Sequence, residues 1–291
     1  MRARSALFTL FGDAVLPSGG DVWLSTLSGC MAALGVTPEA TRTALHRMAA
    51  EGWVAPSRVG RYSAYRLTDR GVERLEEAAA RIYRLRAEPW DGRWRLLVCA
   101  AAGRDEELSR ALRWMGHGRL SADVWVSPHP LGERVPRLLA ASGYDSEAVR
   151  FLADRSPDPR DDERIVAAAW DLAGLHRAHA AFVDRWRGAP VSDSPREAFT
   201  TRITLVHHWR SFLFLDPGLP GDLLPDSWLG QQAADCFRAL YEAVDAGAWA
   251  FYDGLNAAAP ALDPEHAPPP RSPDASPFAR GLEALSTRRT A

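Results

Sequence analysis

Arg42, Thr43, His46 and Arg47 stand at i, i+1, i+4 and i+5, a spacing that gathers four side chains on one face of an α-helix. Two guanidiniums, an imidazole and a hydroxyl make a donor array suited to phosphate oxygens and to the acceptor-rich base edges of a DNA major groove. A single arginine that grips both acceptors of guanine supplies about 1–3 kcal/mol of discrimination. Arg58, Arg61 and Tyr62 follow at what reads as a hairpin tip, better placed for backbone than for bases. A solvated helix face and an ordinary charged turn would look the same residue by residue. The surrounding elements favour the DNA reading because cap, core stripe, turn and hairpin agree.

Those elements are legible in turn. Thr37 can cap a helix through its hydroxyl, Pro38 suits the first helical position, and Glu39 favours the positive end of the helix dipole. Ala44, Leu45 and Met48 repeat at helical spacing and must face a core, which turns the donor array outward. Gly52 marks the helix end; an alternating strand, a Val59-Gly60-Arg61 turn and a second strand over residues 63–67 come next. Upstream, apolar periodicity predicts helices over residues 5–16 and 22–34, with Gly35 and Val36 as the only connection to the next helix. Thr68 caps a further helix over residues 71–86. Together these predict a winged helix-turn-helix.

The whole chain has 291 residues, which suggests two or three domains, and its net charge of -2 excludes a globally basic protein. Residues 1–70 hold eight Arg against five Asp plus Glu, a net of +3, so any nucleic-acid contact is local. There is no lysine, a bias that explains the Arg abundance without any selection for phosphate binding. Cys30, Cys99 and Cys236 lie far apart and predict buried thiols rather than a zinc site or a disulfide framework. No apolar run approaches the roughly 18 residues that span a bilayer. The expectation is a soluble, cytoplasmic protein without membrane contact.

Beyond a break at Ala87-Glu88-Pro89, a strand (93–100), a helix (104–115), a hairpin (119–126), a helix (131–142) and a strand (149–153) follow in the order βαββαβ, which is ferredoxin-like. Ser156-Pro157-Asp158-Pro159 reads as a linker. Helices are predicted over 162–170, 172–186 behind Asp171, 195–214 behind Ser194, and 228–255 behind Asp226. From Pro260 onward, seven of the 21 prolines crowd into a tail that reads as disordered. The fold class is therefore α+β, with a winged helix at 1–86, a ferredoxin-like domain at 90–157, a helical C-terminal domain at 161–257 and a tail at 258–291.

Several motifs are dispersed along the chain: Ser5-Ala6-Leu7-Phe8-Thr9-Leu10-Phe11-Gly12-Asp13, Arg42-Thr43-Ala44-Leu45, Gly52-Trp53, Tyr65-Arg66-Leu67-Thr68, Trp90-Asp91-Gly92-Arg93-Trp94, Val124-Trp125-Val126-Ser127-Pro128 and Phe214-Leu215-Asp216-Pro217-Gly218-Leu219-Pro220. In this order they resemble the PaaX family of phenylacetate-degradation repressors. The resemblance implies a homodimer that binds double-stranded operator DNA and is released by a coenzyme A thioester, phenylacetyl-CoA or a relative of it. A dimer with one head per protomer would read an inverted repeat. One departure stands out: where the family pattern has His-Glu-Trp-Arg, this chain has His207-His208-Trp209-Arg210.

For such an effector, the indoles of Trp90, Trp94, Trp114 and Trp125 could stack on an adenine or an aromatic acyl group, although tryptophan is more often core. On a predicted helix, Ile203, His207, Arg210 and Phe214 share one stripe flanked by Arg202 and Trp209, a cation-and-aromatic set that suits a thioester's phosphates and acyl tail. The effector candidates are thus Trp94, Trp114, Arg202, His207, Trp209 and Arg210. Interdomain packing would use the same residues equally well.

No enzyme is expected, and no cofactor or metal. The ferredoxin-like class also includes small metal-dependent nucleases, but the strand here ends Leu97-Val98-Cys99-Ala100-Ala101-Ala102-Gly103 with no carboxylate before Asp105. Asp161-Asp162-Glu163 lies at a helix start, where acids favour the dipole. His207 and His208 are adjacent rather than four apart as a shared zinc requires. Two rivals stand beside the repressor: a thioester sensor or scaffold whose winged helix contacts proteins, and a regulator of an unrelated operon.

Overall fold

The computed structural model describes residues 1–60, 62–83, 89–130, 132–258, 277 and 278. Its described residues form two compact units, one from Met1–Leu85, Arg185–Arg210 and Ala234–Ala291, the other from Arg86–Asp184 and Ser211–Ala233. The expected helical domain is thus shared between the two.

In the first unit the chain runs α1 (Ala3–Leu10), β1 (Asp21–Trp23), α2 (Leu24–Ala33), α3 (Pro38–Ala50), β2 (Val54–Val59), β3 (Tyr62–Leu67) and α4 (Asp69–Ile82). The three strands pair antiparallel in the order β1-β3-β2, so the order and pairing are those of a winged helix. Val22 and Trp23, expected to open α2, instead pair with Tyr65 and Ala64 as the third strand. A short apolar run cannot by its periodicity distinguish a helix turn from a strand. Pro56, which has no N–H to donate, is tolerated because β2 is an edge strand.

The winged-helix elements do not complete their own core. Phe199 and Ile203 of α9 (Pro195–Trp209) and Ala248 and Tyr252 of α10 (Gly230–Ala257) belong to the same apolar cluster as Leu7, Leu27 and Leu45. The predicted helix over 5–16 widens after Leu10 into a π-helical turn, Phe11–Val15, where Asp13 is buried. Asp13 is the hub of a polar network. It accepts hydrogen bonds from the hydroxyls of Tyr83 (2.6 Å) and Tyr241 (3.0 Å), and from Arg202 Nε at 2.8 Å. Arg202, only 3% exposed, also donates to Asp245 (2.8 Å) and the Asp13 carbonyl (3.1 Å). Its guanidinium lies 4.6 and 4.4 Å from the ring centroids of Tyr241 and Trp249. Burial works to lower its pKa, but Asp13, Tyr241 and Asp245 outweigh it and hold the charge.

The second unit contains β4 (Arg93–Val98), α5 (Glu106–Trp114), β5 (Gly118–Arg119), β6 (Val124–Ser127), α6 (Arg134–Ala141), β7 (Val149–Asp154), α7 (Pro159–Ala169) and most of α8 (Leu172–Trp186). Strand order β5-β6-β4-β7, antiparallel throughout, is ferredoxin-like as predicted. Leu97 and Trp125 face α5 and α6, while Trp94 and Val126 on the opposite face pack with Val166 of α7 and with Leu219 and Leu223. The expected linker is partly structural: Asp158 caps α7 by accepting from the Arg160 N–H at 3.0 Å, and Pro159 is its first residue. The predicted helix over 195–214 ends as α at Trp209 and tightens into a 3-10 turn, Arg210–Phe214.

The thiols of Cys30 and Cys99 are buried, whereas Cys236 is half-buried. Among the described residues no helix is long and apolar enough to cross a membrane. Most of the proline-rich tail lies outside the described residues. Phe278 does not, and its burial at 5% exposure departs from the expectation of a wholly disordered tail.

Two outcomes follow from these interiors. Replacing Arg202 by Met strands the Asp13 carboxylate in the core and should lower unfolding free energy by about 3–5 kcal/mol in a urea titration. His117 is 4% exposed, and burial, with His129 nearby, pushes its imidazole down to about 4. The unfolded chain takes up that proton near pH 6.5, so stability present above 6.5 is lost as pH falls toward 4, by up to ~3 kcal/mol. Denaturation midpoints at pH 7 and 4.5 measure the loss, and His117→Gln should reduce it, leaving the part that the likewise depressed His207 contributes.

Candidate nucleic-acid interface

Two glycine-ended helices set the angle of α3. After α2, Gly35 adopts φ 74°, donating to the Ala32 carbonyl (3.1 Å) while Val36 donates to Met31 (2.9 Å). Gly52 repeats this after α3 at φ 73°, with Gly52 donating to Ala49 (3.0 Å) and Trp53 to Met48 (2.9 Å). Each is a Schellman turn, which needs a left-handed residue that glycine adopts without a Cβ clash. Thr37 Oγ1 accepts from the Ala40 N–H at 3.3 Å, the cap predicted from sequence. Thr68 Oγ1 donates to the Gly52 carbonyl (2.7 Å) and accepts from Gly71 N–H (3.1 Å), tying the end of α3 to the start of α4.

On that scaffold Ala44, Leu45 and Met48 are at most 5% exposed, while Arg42, Thr43, His46 and Arg47 are all exposed. The structure brings these four onto one free face. Arg42 makes only a 3.3 Å surface pair with Glu39. His46, Arg47 and Arg58 have no hydrogen bond or ion pair among the described residues. Arg58 and Tyr62 are exposed on the hairpin, and the Tyr62 ring meets the buried Trp23 edge-on at 6.0 Å. Arg61 lies outside the described residues. Sequence reading missed Arg66, which pairs with Asp21 at 2.8 Å and straps β3 to β1, and Arg70, whose guanidinium stands 4.4 Å from the Trp53 ring centroid. Only the strand register, unavailable from sequence, sets Arg66 beside Asp21.

The effector candidates fall in different places. Arg202 is a correction: its guanidinium is consumed by Asp13 and Asp245 inside the core and has no face left for a ligand. Trp209 is another, stacked on Phe237 at 4.8 Å and donating Nε1 to the Ile82 carbonyl at 2.9 Å. His207 Nδ1 lies 3.2 Å from Thr9 Oγ1, and Arg210 donates to Ser5 Oγ at 3.0 Å. Burial, then the Arg210 charge and His208, push His207 down to about 4, so it is neutral at pH 7. The His-His-Trp-Arg run is thus a seam that joins α9 to α1 and α4.

Trp94 and Trp114 belong to the second unit. Trp94 is 3% exposed, donates Nε1 to Asp162 at 2.9 Å, and packs on Trp90 and Trp170. Trp114 packs against the exposed Phe214 at 5.6 Å. Trp125 is wholly buried. A cavity of about 900 Å³ opens beside α7, walled by Val166, Trp170, Leu172, Leu223 and Leu224, and none of the six effector candidates lines it. Its charged groups are Arg155 against Asp162, Glu163, Asp171 and Asp222, a poor match for several phosphates.

The acids weighed for metal chemistry have other partners. Asp105 caps α5, accepting from Glu107 and Leu108 N–H at 2.9 and 3.0 Å. Asp162 is held by Trp94 and Arg155, and Asp161 accepts from Ser156 at 2.7 Å. Among the described residues no three His, Cys, Asp or Glu side chains gather as a metal site would need.

Comparison with known proteins agrees with this order. Residues 2–71 match the family of PaaX-like proteins, residues 87–166 the PaaX protein central Cas2-like domain, and residues 170–254 the PaaX-like protein C-terminal domain. Transcriptional repressor PaaX of Escherichia coli K12 is 30% identical over 259 residues, 85% of this chain and 82% of that protein. A solved structure of an uncharacterized Mycobacterium tuberculosis protein is similar with a TM-score of 0.57 at 26% identity, across 87% of this chain and 98% of that one. Three matched regions in sequence, spanning both compact units, establish that the chain belongs to the PaaX family.

Proposed function

We propose that this protein is a DNA-binding transcriptional repressor of a phenylacetate-type aromatic-acid catabolic operon, released from its operator by phenylacetyl-CoA or a related coenzyme A thioester. The observation that carries the reading is the exposed face of α3, where Arg42, Thr43, His46 and Arg47 stand clear of a core that takes Ala44, Leu45 and Met48. The 30% identical repressor supports the same role. In this reading residues 1–86 meet DNA, with α3 in the major groove and Arg58, Arg61 and Tyr62 on the flanking backbone. Residues 90–157 and 161–257 carry assembly and effector response. The protein acts from the cytoplasm and catalyses no reaction.

A homodimer reading an inverted repeat is part of the proposal. The edge strand β7 supports it: Val149, Phe151 and Leu152 are 50, 56 and 57% exposed on a strand that pairs on one side only among the described residues. Such an edge is a template for strand addition by a second copy. For the effector, the cavity's apolar wall suits an acyl group, while its acids leave only Arg155 for a phosphate.

Two measurements test the reading. On a fluorescent duplex from the protein's own upstream region, Arg47→Ala should weaken binding at least ~5-fold, and wild-type affinity should fall about a thousandfold between roughly 50 and 200 mM salt. Phenylacetyl-CoA should release the complex; a flat salt profile, or unchanged affinity in the variant, refutes docking through α3. Phe151→Asp should convert the dimer to monomer in sedimentation, and footprinting should then lose the second half-site.

A further inference from the structure

Phe278 is an aromatic ring delivered to the first unit from far along the chain. Its ring is met edge-on by three others: Tyr83 at 5.5 Å and 82°, Phe237 at 5.9 Å and 77°, and Tyr241 at 5.3 Å and 81°. Near-perpendicular contacts of this kind set the positive edge of one ring against the negative face of another. The Arg238 guanidinium stands 5.6 Å from the Phe278 ring centroid, within cation–π range. These groups form a socket for one benzene ring.

The walls of the socket are held by bonds that do not involve their occupant. Tyr83 and Tyr241 both donate their hydroxyls to Asp13 Oδ1, at 2.6 and 3.0 Å. Phe237 lies flat on Trp209, with planes 9° apart, and Trp209 is anchored to the Ile82 carbonyl. Arg238 is paired along its own helix with Glu242 at 2.8 Å. The frame is therefore held by contacts other than those it makes to Phe278, whose own ring is 5% exposed.

We propose that this socket is a binding site for a single aromatic ring and that Phe278 is its tethered occupant, displaced by a free arene of the same size. A ring covalently joined to its site competes intramolecularly, so a free arene must exceed that effective concentration to replace it. The chemistry selected is a flat six-membered ring that stands near-perpendicular to each aromatic wall. A saturated ring of equal volume fills the space without those contacts.

The test uses the full-length protein with 4-fluorophenylalanine at position 278, read by fluorine NMR. The expected resonance is displaced from the free amino-acid position by the ring currents of Tyr83, Phe237 and Tyr241. Benzyl alcohol raised through the millimolar range should move it to the free position, and cyclohexylmethanol should need at least tenfold more. Full-length Phe278→Ala, which leaves the frame intact, should bind benzyl alcohol at least tenfold more tightly because its competitor is gone. The proposal is overturned by a resonance already at the free position, by a docked resonance that saturating benzyl alcohol does not move, or by equal affinity of variant and wild type.

Discussion

The ion pair between Asp13 and Arg202 is the constraint on which the first unit depends. Burying either charge alone costs several kcal/mol, so the two must arrive together and with their remaining polar atoms satisfied. Asp13 meets that demand with two tyrosine hydroxyls and a guanidinium; Arg202 meets it with two carboxylates, a carbonyl and two aromatic faces. The participants come from the π-helical turn after α1, the end of α4, the middle of α9 and the middle of α10. Docking α9 and α10 against the winged-helix elements is therefore a geometric condition as well as apolar burial, because any other seating leaves a charge without its partner.

This condition explains why the elements of residues 1–82 share their core with α9 and α10. Phe199, Ile203, Ala248 and Tyr252 supply apolar surface that the winged-helix elements lack, and the His207-to-Arg210 run stitches α9 to Ser5, Thr9 and Ile82. In the ferredoxin-like unit, Trp94, Asp162 and Arg155 do comparable work on one face of the sheet. Charges that look available for a ligand in a sequence are spent on architecture. What stays on the surface is the outer face of α3, where Arg42 has only a surface pair with Glu39 and where His46 and Arg47 have no hydrogen bond or ion pair among the described residues.

Elements marked by local chemistry were legible before any coordinates. Thr37, Pro38, Gly35 and Gly52 act through bonds to residues at most five away, so their effect can be read in a line of text. The inward stripe of Ala44, Leu45 and Met48 followed from helical period alone. The same approach placed Val22 and Trp23 on a helix, because nothing local reveals that Tyr65 and Ala64 wait to pair with them. It likewise placed Arg202 and Trp209 at an effector site. A cation beside aromatics on a helix stripe has one appearance in sequence, whether it faces a ligand or a buried carboxylate 189 positions away.

The amino-acid sequence by itself determined most of the elements, the βαββαβ order, the family and the outward face of α3, since each rests on periodicity, caps or dispersed motifs read along the chain. Tertiary structure alone decided which charges are spent inside the molecule, which segments share a core, and that Phe278 returns to an aromatic socket. Those outcomes depend on meetings between residues distant in sequence, and burial converts the meetings into an obligation. An unpaired charge costs too much in a dry interior for the chain to leave its partner to chance.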